Sequence, residues 1–407
     1  MSCWHGLIPV SASAEPPPVT ATPHAATPSA LPPVETPESQ EDMRLLVAGQ
    51  WQLMWWRFRK HKVAMVATAV SLLIYFVAVF AEFLAPLPRD HYAADYTFAP
   101  PQRIKLILED EFGNREFHPH VLGYTVEIEA VALRRVFKPD PEQVIELGFF
   151  VDGLEEYRVL GIFPSRKHLF GPKDPTQPFY LFGADKLGQD LYSRLIFGTR
   201  ISMTIGLVGV ALSLIFGILL GGVSGLFGGT VDNIIQRTIE FFRAVPSIPL
   251  WMGLSAALPE DWDAIKRYFA ITVILSILGW TGLARVVRGR FLSLREEDFV
   301  MSARLDGVAE LGIILRYMLP SFLSHIIASV TLSIPGMILA ETSLSFLGLG
   351  LRPPVVSWGV LLKDAQRVQV LATAPWLLIA AVPVIVSVLA LNYVGDGLRD
   401  AADPYSR

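Results

Sequence analysis

The chain has 407 residues, of which 52% are hydrophobic and only 18% charged, against about 25% charge in typical soluble domains. With a mean hydropathy of +0.43, an ordinary soluble protein is excluded and most of the chain belongs in lipid. A formal net charge of -4, from 34 basic and 38 acidic residues, offers no basic field for nucleic acid. The single cysteine, Cys3, allows neither a disulfide framework nor a thiolate metal site within one chain.

In chain order, residues 1–42 read as a Pro-rich disordered tail on the cytoplasmic side, with nine prolines among residues 1–40. No basic segment leads into an apolar one there, which argues against a cleaved signal peptide. From Met43 the texture changes, and residues 43–87 read as an interfacial helix followed by a first transmembrane helix. Leu45, Leu46, Trp51, Trp55 and Phe58 are expected to share one helix side, and Arg57, Arg59, Lys60 and Lys62 close the segment. Tryptophans beside cations suit the headgroup level of a membrane.

Stretches free of Asp, Glu, Lys and Arg cover 63–81, 201–231, 244–259, 268–284, 317–340 and 368–395. Crossing a hydrocarbon core of about 30 Å takes about 20 helical residues. The third stretch, between Pro246 and Pro259, therefore borrows flanking residues, and the fourth extends past Arg285. Six transmembrane helices follow, with both termini on the cytoplasmic side beside the basic clusters. The fold class is an all-α polytopic membrane protein with a small extracytoplasmic α+β or β insert at 88–182, then a core of five helices at 183–407 containing a cytoplasmic loop at 290–320. Alternation in residues 124–133 and an apolar run at 144–151 place strands in the insert, which either docks a partner or caps the bundle. In the second span, Gly217, Gly221, Gly225 and Gly229 recur every four residues and offer one side for close helix approach.

Several chemistries are missing. There is no Gly-Lys pair to end a phosphate-cradling loop, no H-E-x-x-H and no G-x-S-x-G. His118 and His120 have a ligand-like spacing but are expected in an exposed loop, so neither a metal nor a cofactor is assigned. Glu82 and Glu341 lie near span ends, and His325 is expected to make an interhelical hydrogen bond rather than relay protons.

After the fourth span, residues 294–321 read as helix, turn, helix, with Gly307 able to reverse the chain and Ile313, Ile314 and Leu315 forming an apolar strip. This segment resembles the EAA loop of binding-protein-dependent ABC importer permeases. Ala303, Gly307, Leu319 and Pro320 hold the family register; Met301 stands for its Glu, Ser302 for its first Ala and Tyr317 for its Ile, while Glu296, Glu297 and Asp298 supply acidity upstream. Residues 182–203, with Gly183, Asp185, Gly188, Asp190, Ser193, Arg194, Gly198 and Arg200, together with 341–359 and 392–404, narrow the likeness to the C-type permease of the dipeptide, oligopeptide and nickel group.

The resemblance implies a type I, MetI-like permease fold in a bacterial or archaeal cytoplasmic membrane. It implies a non-catalytic subunit working with a second homologous permease, two cytoplasmic ATP-binding subunits and an extracytoplasmic solute-binding protein. It also implies that Met301, Ser302, Ala303, Gly307, Leu319 and Pro320 form the ATPase-coupling loop. Short peptides are the implied cargo, with nickel chelates or oligosaccharides as alternatives. A stand-alone secondary transporter or channel, and a membrane scaffold, stay open as other readings.

Overall fold

The structure, a computed structural model, describes residues 49–109, 115–129, 135–159 and 161–402. The expected tail at 1–42, Leu45, Leu46 and Cys3 lie outside the described residues. Helix α1 (Gln50–Lys60) leads through His61 into α2 (Lys62–Val79), and the short α3 (Ala81–Leu84) follows. Trp55 and Phe58 share one side of α1, as expected, with rings stacked and centroids 6.1 Å apart. Along that side exposure changes: Trp51 and Trp55 are exposed, whereas Phe58 is buried against Ala64 and Ala401.

The insert is a four-stranded antiparallel sheet in the order β1 (Lys105–Glu109), β2 (Arg115–Ile128), β3 (Arg135–Val159), β4 (Phe163–Pro172). Alternation in β2 and β3 turns Val121, Ile145 and Leu147 toward Phe179, which form its small core. Residues 130–133 of the expected first strand lie outside the described residues. His118 and His120 sit in β2 rather than in a loop. His118 Nε2 is 3.3 Å from Glu146 Oε1, and the buried His120 directs Nδ1 to the His118 carbonyl at 2.7 Å.

The helical core comprises α4 (Leu191–Phe227), α5 (Gly229–Ala244), α6 (Ser247–Ala256), α7 (Ala264–Leu294), α8 (Asp298–Leu305), α9 (Leu323–Phe346), α10 (Trp358–Asp364), α11 (Val368–Thr373) and α12 (Ala381–Ala402). Five segments among the described residues are long and apolar enough to cross a membrane: α2, α4, α7, α9 and Pro375–Ala402. Span α4 begins ten residues before the charge-free stretch because Arg194 and Arg200 are paired, with Asp185 and Glu82 respectively. The stretch at 244–259 gives only the ten-residue α6, since the chain is extended at Val245 before Pro246.

Helices α4 and α7 approach each other closely at three glycines. A methyl at Gly221 would sit 2.5 Å from the Ala284 carbonyl oxygen, one at Gly225 2.9 Å from that of Arg288, and one at Gly217 2.9 Å from Leu283 Cβ. Gly229 does not continue this row. The chain breaks at Gly228 (φ 65°), and Gly229 (φ 55°) opens α5 with nothing within 4 Å of a Cβ.

Asp232 near the start of α5 pairs with Arg288 near the end of α7, while Ser255 at the end of α6 donates to the Leu349 carbonyl beyond the far end of α9. Residues 229–256 thus run from one end of the bundle to the other.

Replacing Gly221 by Ala is expected to destabilise the bundle by about 1–3 kcal/mol through overpacking against backbone that cannot rotate away. Gly282→Ala, where nothing lies within 4 Å of the added carbon, should be neutral or slightly stabilising in the same helix pair. Thermal unfolding of the detergent-solubilised protein checks the difference. Equal midpoints for the two variants would contradict the packing account.

Candidate functional site: a surface loop and an outer mouth

The bundle has two ends with different chemistry. At one end, the loop between α7 and α9 carries the residues expected to couple to a partner. Helix α8 closes at Gly307, whose φ of 75° is the left-handed conformation that glycine adopts without strain. The Val308 amide donates to Ala303 O at 3.1 Å and the Gly307 amide to Arg304 O at 3.0 Å. These are the two crossed bonds that satisfy the last carbonyls of a helix ending in a Schellman turn. Beyond it, Ile313–Met318 forms a π-helical turn that leads through Leu319 and Pro320 into α9.

The loop is fastened to the spans by one apolar cluster. Phe291 of α7 is fully buried among Val300, Ala303, Ile313, Ile314, Met318 and Phe322, and its ring meets Phe322 edge-on with centroids 5.5 Å apart. Ala303 is therefore small because it lies inside this cluster, at 2% exposure. Of the other loop residues singled out from the sequence, Met301, Ser302, Gly307 and Pro320 are exposed and Leu319 is half-buried. The expected strip of Ile313, Ile314 and Leu315 divides, with the first two buried and Leu315 exposed.

What faces outward is apolar for a surface loop. Phe299, Met301, Leu305, Leu311, Leu315 and Tyr317 are all exposed, Leu305 at 88%. Contiguous exposed apolar surface on one loop marks a place where something binds. The same bundle end gathers Lys62, Arg288, Arg290, Arg295, Arg304, Arg316 and Arg399.

At the opposite end, the motif at 182–203 stitches a mouth together. Asp190 caps α4, accepting from the Tyr192 and Ser193 amides at 3.3 and 2.7 Å. Its complete burial pushes its carboxyl up to about 6, against the pull of those hydrogen bonds. Asp185 accepts from the Leu187 and Gln189 amides and pairs with Arg194. Glu82 pairs with Arg200; burial pushes its carboxyl up, and the guanidinium's hydrogen bonds and charge outweigh that, leaving it below the usual range.

Between this end of the bundle and the β3–β4 hairpin lies a cavity of about 650 Å³, lined by Glu82, Arg200, Glu155, Tyr157, Tyr268 and Phe269 among others.

Glu341 lies near the end of α9, as expected, and is wholly buried there. Its carboxylate accepts from the hydroxyls of Ser357 at 2.7 Å, Ser345 at 2.9 Å and Ser202 at 3.2 Å. Those hydroxyls in turn accept from the amides of Val360, Leu351 and Trp358. Among the described residues the His325 ring makes no interhelical hydrogen bond. The Glu341 network left a signal in the sequence only as serines scattered across three segments.

Residues 213–407 match the family described as the binding-protein-dependent transport system inner membrane component. Residues 49–101 match the N-terminal TM domain of oligopeptide transport permease C. The oligopeptide transport system permease protein OppC of Bacillus subtilis is 34% identical over 60% of this chain and 77% of its own. Its counterpart in Haemophilus influenzae is 38% identical over 57% and 73%. The dipeptide transport system permease protein DppC of Bacillus subtilis is 34% identical over 61% and 78%.

A solved inward-facing MetNI methionine ABC transporter covers 51% of this chain at 16% identity and a TM-score of 0.40, a likeness too weak to bear on the fold. The two matched ranges bracket the sheet, and the second includes the loop between α7 and α9. The chain therefore belongs to the binding-protein-dependent transport permeases, as a non-catalytic membrane subunit of the C type found with oligopeptides and dipeptides.

Proposed function

We propose that the chain is one of two homologous transmembrane subunits of an ATP-driven importer in the cytoplasmic membrane, passing short peptides delivered by an extracytoplasmic binding protein. The observation that carries this reading is the outward apolar edge of α8 and the following turn, set on a base that is itself part of the spans. Met301, Ser302, Gly307 and Pro320 lie on the exposed side of that loop, and Ala303 and Leu319 anchor it. An ATP-binding subunit that seats against Leu305 and Met301 would move Phe291 with it, and so α7. Such motion shifts the permease between two states only as far as the partner's affinity differs between them.

The end-to-end course of residues 229–256 supports a sixth crossing made by α5 and α6 together. Their 16 and 10 residues reach about 39 Å at 1.5 Å per residue, enough for the core even with a break at Pro246. Six crossings bring both described chain ends, α1 and the end of α12, to the basic face, where Phe58 and Gly397 adjoin. The sheet and the 650 Å³ cavity then face the outside, where the insert shapes the entrance for the delivered solute. A secondary transporter would use an ionisable side chain within a span as a coupling site. Glu341 is instead enclosed by three hydroxyl donors that complete the packing of α4 and α9.

Gly307→Val places a β-branched residue at a positive φ, a strain of about 1–3 kcal/mol that re-aims the loop. Membrane levels should stay normal while peptide uptake and solute-stimulated ATPase activity of the assembled complex fall together. Uptake at the wild-type rate would show that this turn does not set the partner contact.

Leu305→Asp probes the outer edge without touching the fold, since the residue is 88% exposed. Co-purification of the ATP-binding subunits is expected to weaken on the order of tenfold, about 1.4 kcal/mol. Unaltered affinity would remove this edge from the interface.

A further inference from the structure

The β3 strand departs from regular alternation at several places, one of them at Phe149 and Phe150. In a pleated strand successive side chains face opposite sides, yet Phe149 and Phe150 are both exposed, at 72% and 60%. Phe150 is held at a φ of 55°, a conformation that bulky residues rarely adopt. Strain of this kind persists where surrounding structure enforces it and often accompanies a binding role. The neighbouring packing does enforce it. Phe149 lies against Phe170, which meets Phe179 edge-on in the insert core, and Val151 next to the kink is buried.

The position of this pair relative to the spans identifies its environment. The Phe150 ring lies 6.1 Å from that of Phe83, and Phe83 lies within the short α3, which continues the course of α2. Twenty residues separate Val63 from Phe83, about 30 Å of helix and so about one hydrocarbon thickness. The exposed side of α2, with Leu72, Leu73, Phe76 and Val79, continues through Phe80 and Phe83 to the two strand phenylalanines. Phe76 and Phe80 pack as a tilted pair with centroids 4.7 Å apart along this path.

Beside the pair, the partner strand presents the exposed Lys167, with the exposed Arg166 one residue further along. The Lys167 ammonium lies 3.2 Å from Asp152 and 3.5 Å from the Phe150 carbonyl. An aromatic pair at the end of an apolar helix face, with cations next to it, is the pattern of a membrane-interface anchor.

We infer that Phe149 and Phe150 seat the β3–β4 hairpin in the outer interface of the bilayer, with lipid acyl chains and headgroups as the partner. The anchor holds the sheet at a fixed height over the mouth, because the same hairpin supplies Glu155 and Tyr157 to the outer cavity and His168, whose Nδ1 lies 2.9 Å from the Glu82 carbonyl. The inference rests on α2 crossing the membrane, and the experiment separates the two claims.

The single native cysteine allows the test in the full chain. On a Cys3→Ser background, a nitroxide is attached at Phe149→Cys or Phe150→Cys, and in separate proteins at Leu72→Cys and Glu156→Cys, all reconstituted with the partner subunits in liposomes. Collision with oxygen, which partitions into lipid, is compared with collision with water-soluble chromium oxalate. Labels at 149 and 150 are expected to favour oxygen, as Leu72→Cys does, while Glu156→Cys favours the oxalate. Oxalate-dominated collisions at 149 and 150 would overturn the inference by placing the pair in water. Low collision rates with both reagents would overturn it in favour of a protein neighbour such as the second permease or the binding protein. Oxalate access at Leu72→Cys would instead sink the assignment of α2 as a span.

Discussion

The close approach of α4 and α7 is the constraint on which the rest of the bundle depends. At Gly217, Gly221 and Gly225 the backbone of one helix lies against the backbone or first side-chain atoms of the other. No other residue fits there. In lipid, where tails compete equally well for apolar side chains, such backbone proximity is a main source of helix association. It fixes where α7 ends, and so where Phe291 stands and where the loop to α9 begins. The loop's buried side is a continuation of this contact, because the Phe291 side chain also crowds Gly225 and Gly222 of α4.

At the opposite end the organising element is polar. Three backbone amides donate to three serine hydroxyls, and those hydroxyls donate to the single carboxylate of Glu341. An unpaired backbone amide in so apolar a setting would cost several kcal/mol. The arrangement leaves each of these groups satisfied and draws α4, α9 and the start of α10 together around Trp358, itself fully buried. Gly198 and Gly359 let this layer close, since a methyl on either would meet Trp358 or the Thr342 backbone.

Much of this was legible in the sequence where one short-range rule controls the outcome. Apolar length marked the five long apolar helices, alternation marked β2, an apolar run marked β3, and a glycine after an amphipathic run marked the turn at Gly307. Legibility failed where distant partners decide. The early start of α4 depends on Asp185 and Glu82 neutralising its two arginines. The broken course of α5 and α6 depends on anchors at Arg288 and Leu349 that lie 56 and 94 residues away. Gly229 matched the spacing of the glycine row, but the helix that would have carried it ends two residues earlier, at Phe227. Helix spacing placed Phe58 on the side of the tryptophans, but it did not show that Phe58 alone would be buried against the bundle. Glu341 carried no local sign that three serines from separate segments would converge on it.

The account makes this chain half of a passage whose movement is supplied from outside itself, through a loop rooted in α7. The direct test is uptake of a labelled tripeptide into proteoliposomes that contain the chain, its second permease, the ATP-binding subunits and the binding protein. Accumulation is expected only with all components and ATP present, and is expected to vanish when this chain is omitted. Accumulation by this chain alone, driven by an imposed ion gradient without ATP, would contradict the account.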